Sequence, residues 1–192
     1  MCSLTFSASP IYEQDEKGNL IKQTFLDSDG EPTSVYKYSY DENDYPIELS
    51  IYYSNGDLDN RIIGKNDKRG NTIEESFYDS DGDLKGKRIQ QYDENDNLSK
   101  MSLYDADGDL ESSHIYQYNS NGDLIEESIY DADGDLDRKY VYEVDENGRK
   151  LSTSIYDYDG ELEEEYSYKY EYDKKNNWVE CIEMKDNIVS TI

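Results

Sequence analysis

The chain reads as an all-β protein: an antiparallel β-meander of about 14 strands, built from 26-residue two-strand repeats and curled into a spiral or closed into a barrel. Three observations predict this. Gly30, Gly56, Gly82, Gly108, Gly134 and Gly160 follow one another at intervals of 26 residues. A second series, Gly18, Asp44, Gly70, Asp96, Gly122 and Gly148, keeps the same interval. Between the two series, apolar and polar residues alternate with the period of a strand. Each repeat therefore holds two turns and two strands.

The turns carry their own geometry. YDADGDL occurs at Tyr104 to Leu110 and again at Tyr130 to Leu136, and YDSDGDL occurs at Tyr78 to Leu84. The first carboxylate of such a segment caps its own turn, the next two positions suit a type I turn, and the glycine takes the left-handed conformation of a G1 bulge. Asp44 and Asp96 stand where glycine is expected, and Asp visits that region more readily than most residues.

Hairpins closed this way imply a pairing. Tyr52 should face Leu58, Tyr78 Leu84, Tyr104 Leu110, Tyr130 Leu136 and Tyr156 Leu162. Farther from the turns, strict alternation pairs Ile47 with Ile63, Ile73 with Ile89, Ile125 with Val141, Glu75 with Lys87 and Glu127 with Lys139. Matched cross-strand pairs contribute roughly 0.2 to 1 kcal/mol each. One face then collects Leu124, Ser128, Tyr130, Leu136, Tyr140 and Tyr142, with Ser or Thr recurring at Thr24, Ser50, Ser76, Ser102, Ser128 and Ser154. The other collects Ile73, Phe77, Ile89, Ile125, Ile129 and Val141. The Tyr and Leu face is the expected inner one.

A single repeat domain over residues 1–192 is expected. Residues 1–17 form an N-terminal cap strand, with Pro10 blunting the edge beside Ile11 and Tyr12. Six repeats occupy residues 18–173, the last extended by two residues in ELEEEYSYKYEYD, and residues 174–192 form a C-terminal cap strand. Trp178 replaces the repeat leucine there and is expected to plug the end of the stack.

Composition narrows the function. Hydrophobic residues make up 34% of the chain, and 21 of them are tyrosines, so any core is built largely from Tyr. The aromatic content separates the chain from disordered acidic sequences. With 46 acidic against 19 basic residues and a net charge of -27, neither direct nucleic-acid binding nor attraction to an anionic membrane is expected. Basic proteins and divalent cations are the partners such a field attracts. No run of about 20 apolar residues suggests a membrane helix. The opening MCSLTFSASP does not have the form of a signal peptide, so a cytoplasmic location is expected, with secretion the alternative should a leader have been removed. Cys2 and Cys181 make no metal spacing and read as free thiols.

The segments QYDENDNL (Gln91 to Leu98), SYDEND (Ser39 to Asp44) and EYDKKNN (Glu171 to Asn177) resemble the YD repeats of Rhs-type proteins. The alternation of YDxDGDL with such turns also resembles the MORN-like repeats of small bacterial antitoxin-type proteins. The resemblance spans nearly the whole chain and implies an antiparallel repeat sheet that curls. The chain departs from the Rhs pattern in its longer unit, its acidity and its lack of a toxin or protease-like segment.

No catalytic or cofactor-binding residue is expected, and the chain is read as non-enzymatic. His114 is the only histidine; it is expected to face Lys100 in mid-strand, in the place of a repeat tyrosine. No nucleophile elbow or phosphate loop is present. Calcium is the one cofactor the sequence suggests. Asp79, Asp81 and Asp83, Asp105, Asp107 and Asp109, and Asp131, Asp133 and Asp135 each put three carboxylates within five residues. A hard cation would relieve their repulsion. The plainer reading makes them turn formers and solubilising charge. One short hairpin does not fill six to eight coordination positions, and equivalent turns lie roughly 9.6 Å apart at the usual strand spacing.

The function expected is that of an acidic β-repeat scaffold binding another protein, basic by charge complementarity, as an inhibitor or immunity protein for a basic toxin or effector would. One alternative is a calcium-stabilised surface or adhesive module. The other is an acidic nucleic-acid mimic that occupies a DNA-binding protein: spread along the repeats, the net charge falls at about one per 2.5 Å, against one per roughly 1.7 Å of duplex DNA.

Overall fold

The structure, a computed structural model, describes residues 9–172, 174 and 178–186. Among the described residues, fourteen strands follow one another: β1 (Ile11–Gln14), β2 (Leu20–Leu26), β3 (Pro32–Tyr40), β4 (Pro46–Tyr53), β5 (Leu58–Asn66), β6 (Thr72–Tyr78), β7 (Leu84–Tyr92), β8 (Leu98–Asp105), β9 (Leu110–Tyr118), β10 (Leu124–Tyr130), β11 (Leu136–Val144), β12 (Lys150–Tyr156), β13 (Leu162–Tyr172) and β14 (Trp178–Asp186). They form one sheet in sequence order, so that β1 and β14 stand at the two ends of that order and are not neighbours. No helix occurs among the described residues. The chain divides into two compact units, Met1–Ile89 with Tyr104–Asp109, and Gln90–Leu103 with Leu110–Ile192.

The turns from Asp15 to Asp157 close as their sequences require. In the turn from Asp131, the Asp131 N–H donates to the Asp135 carbonyl at 2.9 Å, and the Gly134 N–H donates to the Asp131 carbonyl at 3.2 Å. The same two bonds recur from Asp15 to Asp157. Asp44 and Asp96 adopt φ of 65° and 66°, the left-handed conformation that their glycine counterparts hold in the other turns.

The register beside the turns follows expectation and then departs from it. Tyr52 faces Leu58, Tyr78 faces Leu84, Tyr130 faces Leu136 and Tyr156 faces Leu162. One step farther the pairing slips by a residue. Glu48 faces Ile63, Glu74 faces Ile89 and Glu126 faces Val141, where Ile47, Ile73 and Ile125 were expected. Likewise Ser76 faces Lys87 and Ser128 faces Lys139. The cause is a second bulge. Asp59, Lys85, Asp137 and Glu163 are each passed over in the pairing, as are Ile21, Ile47, Ile73, Ile125 and Leu151 after the other series of turns. An extra residue on one strand disturbs the ladder locally. Side chains reach the carbonyls beside some of these bulges: the Tyr40 hydroxyl donates to Leu20 O at 2.8 Å and Asn66 Nδ2 to Pro46 O at 2.8 Å; the Tyr118 hydroxyl donates to Leu98 O at 3.0 Å.

The bulges also redistribute the faces. In the first unit, Thr24, Ser50 and Ser76 share a face with Val35, Lys37, Arg61, Ile63 and Lys87, while Phe25, Tyr36, Tyr38, Leu49, Ile51, Ile62 and Phe77 lie on the other. In the second unit, Ser128 lies with Ile115, Lys139 and Val141, opposite the face of Ile129, Tyr140 and Tyr142. The expected grouping of Ser128 with Tyr140 and Tyr142 is therefore corrected, because strict alternation was carried across a bulge. Both faces stay half-covered. Tyr142, 9% exposed, is the buried hydrophobic residue among those described, whereas Thr24, Ser50, Ser76, Ser102, Ser113, Ser128 and Thr153 are buried polar ones. A short side chain such as Ser50 lies between the long Lys37 and Arg61 on its neighbouring strands, which shield it.

Candidate functional site

The acidic turns commit their first carboxylate to the backbone. Asp79 Oδ1 accepts the N–H groups of Asp81 and Asp83, both at 3.0 Å. Asp105 does the same for Asp107 and Asp109, and Asp131 for Asp133 and Asp135. The Asp83 N–H, with that of Asp81 and the nearby Lys85 ammonium, holds the Asp79 carboxyl below the usual range. In the other series, the Arg149 side chain and then the backbone of Arg149 and Asn147 lower Asp145. The second and third carboxylates, Asp81, Asp83, Asp107, Asp109, Asp133 and Asp135, are exposed. Among the described residues, no three His, Cys, Asp or Glu side chains are gathered as a metal ion would need.

The two series of turns differ in charge and in contact. The six turns after the even-numbered strands β2 to β12 hold sixteen carboxylates and no Lys or Arg. The six after the odd-numbered strands β1 to β11 hold twelve carboxylates and four cations, Lys17, Lys68, Arg69 and Arg149. In the first unit, consecutive odd-series turns touch. Lys17 Nζ lies 2.6 Å from Asp44 Oδ1, and Asn19 Nδ2 donates to the same oxygen at 3.2 Å. A Cβ on Gly70 would run into the Tyr45 ring. In the second unit, a Cβ on Gly148 would meet the Asp123 carboxylate. Around Gly30, Gly56, Gly82, Gly108, Gly134 and Gly160 of the even series, a Cβ would meet nothing within 4 Å. Two aromatic rings stand out on the even-series turns: Tyr53, 51% exposed, in the first unit and Tyr158, 69% exposed, in the second.

On the faces several cations have partners. Lys65 Nζ pairs with Glu74 at 2.9 Å and Lys139 Nζ with Glu126 at 2.9 Å. Arg88 Nε donates to Glu75 at 2.7 Å while its guanidinium lies over the Phe77 ring. Lys37 sits 4.5 Å from the Tyr52 ring centroid, and Arg61 lies 5.0 Å from that of Tyr78.

His114 stands opposite Ile129, and its Nδ1 lies 3.0 Å from Glu127 Oε1. The pair is partly buried, and the Tyr116 ring stacks on the imidazole at 6.2 Å. Beside them Tyr140 and Tyr142 stack at 6.5 Å. Burial, then the Glu127 charge, pushes the Tyr142 hydroxyl up to about 12. This His–Glu–Tyr cluster was not foreseen.

The Tyr142 shift sets an alkaline limit. The folded state keeps a proton that an unfolded tyrosine releases near pH 10, so its contribution is fully present below about pH 10 and is lost as pH rises toward 12. Tyr142→Phe is expected to make the fall in melting midpoint across that window less steep. An unchanged slope would contradict the assignment.

Cys2 lies outside the described residues, as do the side chains of Trp178 and Cys181, the expected end plug and second thiol.

No protein-family model matches the chain, and neither does any curated protein sequence. Among solved structures, a porin-like protein from Bacteroides uniformis is similar over 94% of this chain and 84% of its own, with a TM-score of 0.55 and 14% identity. A chain of the Tc holotoxin pore of Photorhabdus luminescens aligns with 83% of this chain and 13% of its own at a TM-score of 0.24 and 11% identity. The TcdB2-TccC3 complex aligns with 95% of this chain and 15% of its own at 0.23 and 11%. The first likeness concerns the fold alone, and the two toxin chains are too dissimilar to carry an argument. What the chain shares with the porin-like protein is its β fold.

Proposed function

We propose that this protein is a non-enzymatic repeat scaffold that binds a basic protein surface through its even-series turns, the role an inhibitor or immunity protein for a basic toxin or effector would fill. The observation that carries this reading is the concentration of exposed carboxylates in turns that hold no cation, with Tyr53 and Tyr158 exposed among them. Exposed tyrosine offers rigid amphipathic area of the kind enriched at interfaces. The ion pairs of both faces support the reading from another side, because a lipid-facing strand surface needs a continuous apolar band. The expected resemblance to YD-repeat and antitoxin-type repeat proteins agrees with the same role.

The test separates position from net charge. Asp81, Asp107, Asp133 and Asp159 are replaced together by Asn; in a second variant Glu16, Glu42, Glu94 and Glu146 are replaced by Gln. Each variant loses four charges. Binding to cytochrome c, a small basic protein, is measured by calorimetry at fixed salt. The Asn variant is expected to bind at least tenfold more weakly and the Gln variant within about twofold of the parent. Equal weakening in both would leave only a net-charge effect and overturn the proposal.

A further inference from the structure

The dipeptide Asn-Gly occurs at Asn55 and Gly56, Asn121 and Gly122, and Asn147 and Gly148, each time with the asparagine just before the left-handed glycine of a turn. In such a pair the glycine nitrogen can attack the asparagine carboxamide, because glycine carries no side chain to obstruct the approach. All three asparagines are exposed. The three glycine N–H groups are also held alike, donating to Tyr53 O at 3.0 Å, Asn119 O at 3.1 Å and Asp145 O at 3.0 Å. Dipeptide, exposure and turn closure therefore do not separate the three. Their surroundings do.

The first residue of each turn decides what holds the carboxamide. Tyr53 sends its hydroxyl to Asp59 Oδ1 and leaves its turn uncapped. The Asp57 N–H then donates to Asn55 Oδ1 at 3.0 Å, and Asn55 Nδ2 donates to Asp57 Oδ2 at 2.7 Å, so both ends of the Asn55 carboxamide are tied. Asn119, in contrast, caps its own turn. Its Oδ1 accepts the N–H groups of Asn121 at 2.9 Å and Asp123 at 3.0 Å, and its Nδ2 donates to Asp123 Oδ2 at 2.9 Å. Asp123 is thereby engaged by Asn119, and the Asn121 carboxamide has no hydrogen bond among the described residues. Asp145 caps the third turn in the same way, taking the N–H groups of Asn147 and Arg149, and the Asn147 carboxamide is likewise without a bond among the described residues. The two differ on the glycine side. The Asp123 carboxylate lies against Gly148, whereas a Cβ on Gly122 would meet nothing within 4 Å. Beside Gly122 opens a cavity of about 330 Å³ lined by Asn95, Asn97, Asn119, Ser120, Asn121 and Gly122.

We infer that Asn121 is the residue at which the folded chain deamidates. The Gly122 nitrogen, its proton taken by hydroxide, forms a bond to Asn121 Cγ; the bond from Cγ to Nδ2 breaks and ammonia leaves. Water then opens the resulting succinimide at either carbonyl, giving aspartate or isoaspartate at position 121. Asn121 combines the two conditions the reaction sets: a carboxamide free to turn toward the nitrogen, and open space through which water reaches the ring. Asn55 fails the first condition. Asn147 fails the second, and the Asp123 charge against Gly148 opposes an anion on that nitrogen. Either product adds a negative charge to the odd-series turns. Isoaspartate also lengthens the main chain inside a turn closed by the bonds from Asn119 N to Asp123 O and from Gly122 N to Asn119 O, which need the ordinary spacing.

The full chain is incubated in mildly alkaline buffer below its melting range, then digested and mapped by mass spectrometry, which reads ammonia loss at each asparagine and separates isoaspartyl from aspartyl peptides. Deamidation at Asn121 is expected to run at least about fivefold faster than at Asn55 or Asn147, the factor that one net hydrogen bond is worth. In concentrated urea, where only the shared dipeptide acts, the three rates are expected to converge. Asp57→Ala, which removes the acceptor of Asn55 Nδ2, is expected to speed reaction at Asn55 while leaving Asn121 as it was. Equal rates at the three sites in the folded chain, an Asn121 preference that persists in urea, or an Asn55 rate unmoved by Asp57→Ala would each overturn the inference.

Discussion

Alanine at Gly86 is expected to destabilise the protein by about 1–3 kcal/mol, whereas alanine at Gly64 is expected to stabilise it by about 0.5–1 kcal/mol. Both residues lie inside strands of the first unit, and neither has the left-handed φ that would favour glycine. What differs is the space on the Cβ side. At Gly86, which is buried and faces Phe77, the new methyl would stand 2.6 Å from the backbone oxygen of Tyr104, and a carbonyl in a strand has little room to withdraw. At Gly64 the nearest atoms lie at 3.8 and 3.9 Å, so the methyl meets ordinary packing and the gain comes from restricting the unfolded chain. Urea unfolding of the two variants beside the parent gives both signs in one experiment. Equal destabilisation by both would mean that the space beside Gly64 is not open.

The second large effect concerns salt. Sodium chloride at high concentration is expected to raise the melting midpoint at least as far as millimolar calcium does, with magnesium matching calcium. The first carboxylate of each acidic turn is occupied by two backbone N–H groups, as Asp105 is by Asp107 and Asp109, so one of the three oxygen-bearing groups is already committed. The remaining exposed carboxylates repel one another through water, an interaction that mobile ions screen. Melting in EDTA, calcium, magnesium and sodium chloride distinguishes the two cases. A sharp rise with calcium alone would assign Asp79, Asp81, Asp83 and their counterparts to cation binding.

The turns were legible in the sequence because their chemistry is local. A carboxylate, two turn-forming residues and a glycine fix the hairpin without reference to anything distant, and even Asp44 and Asp96 could be placed in the left-handed region by residue type. Fourteen strands and their order follow from the spacing of those turns. The second bulge was not legible. Ile47, Ile73 and Ile125 are β-branched and apolar, good strand residues by every local measure, and nothing in them announces that the pairing skips them. With the bulges unseen, the two faces were misassigned, and the approach of His114 to Glu127 stayed hidden. The difference between Gly64 and Gly86 was not legible either, since only the packing shows that an added Cβ meets ordinary contacts at the first and the Tyr104 carbonyl at the second.

Strands paired only with their sequence neighbours have a consequence for how the chain reaches this state. The contacts that build each hairpin lie a dozen or so residues apart, so loop closure costs little and nucleation can begin at any turn, a pattern that favours rapid folding in a β-protein. The same regularity creates a characteristic error. The segments at Tyr104 to Leu110 and Tyr130 to Leu136 are identical, so a strand displaced by one whole repeat, or exchanged with another copy of the chain, meets nearly correct partners. The departures from the repeat, Gly64 and Gly86, Lys85 against Asp137, His114 against Tyr140, then act as registration marks: they make one alignment of these near-copies fit better than its shifted twin.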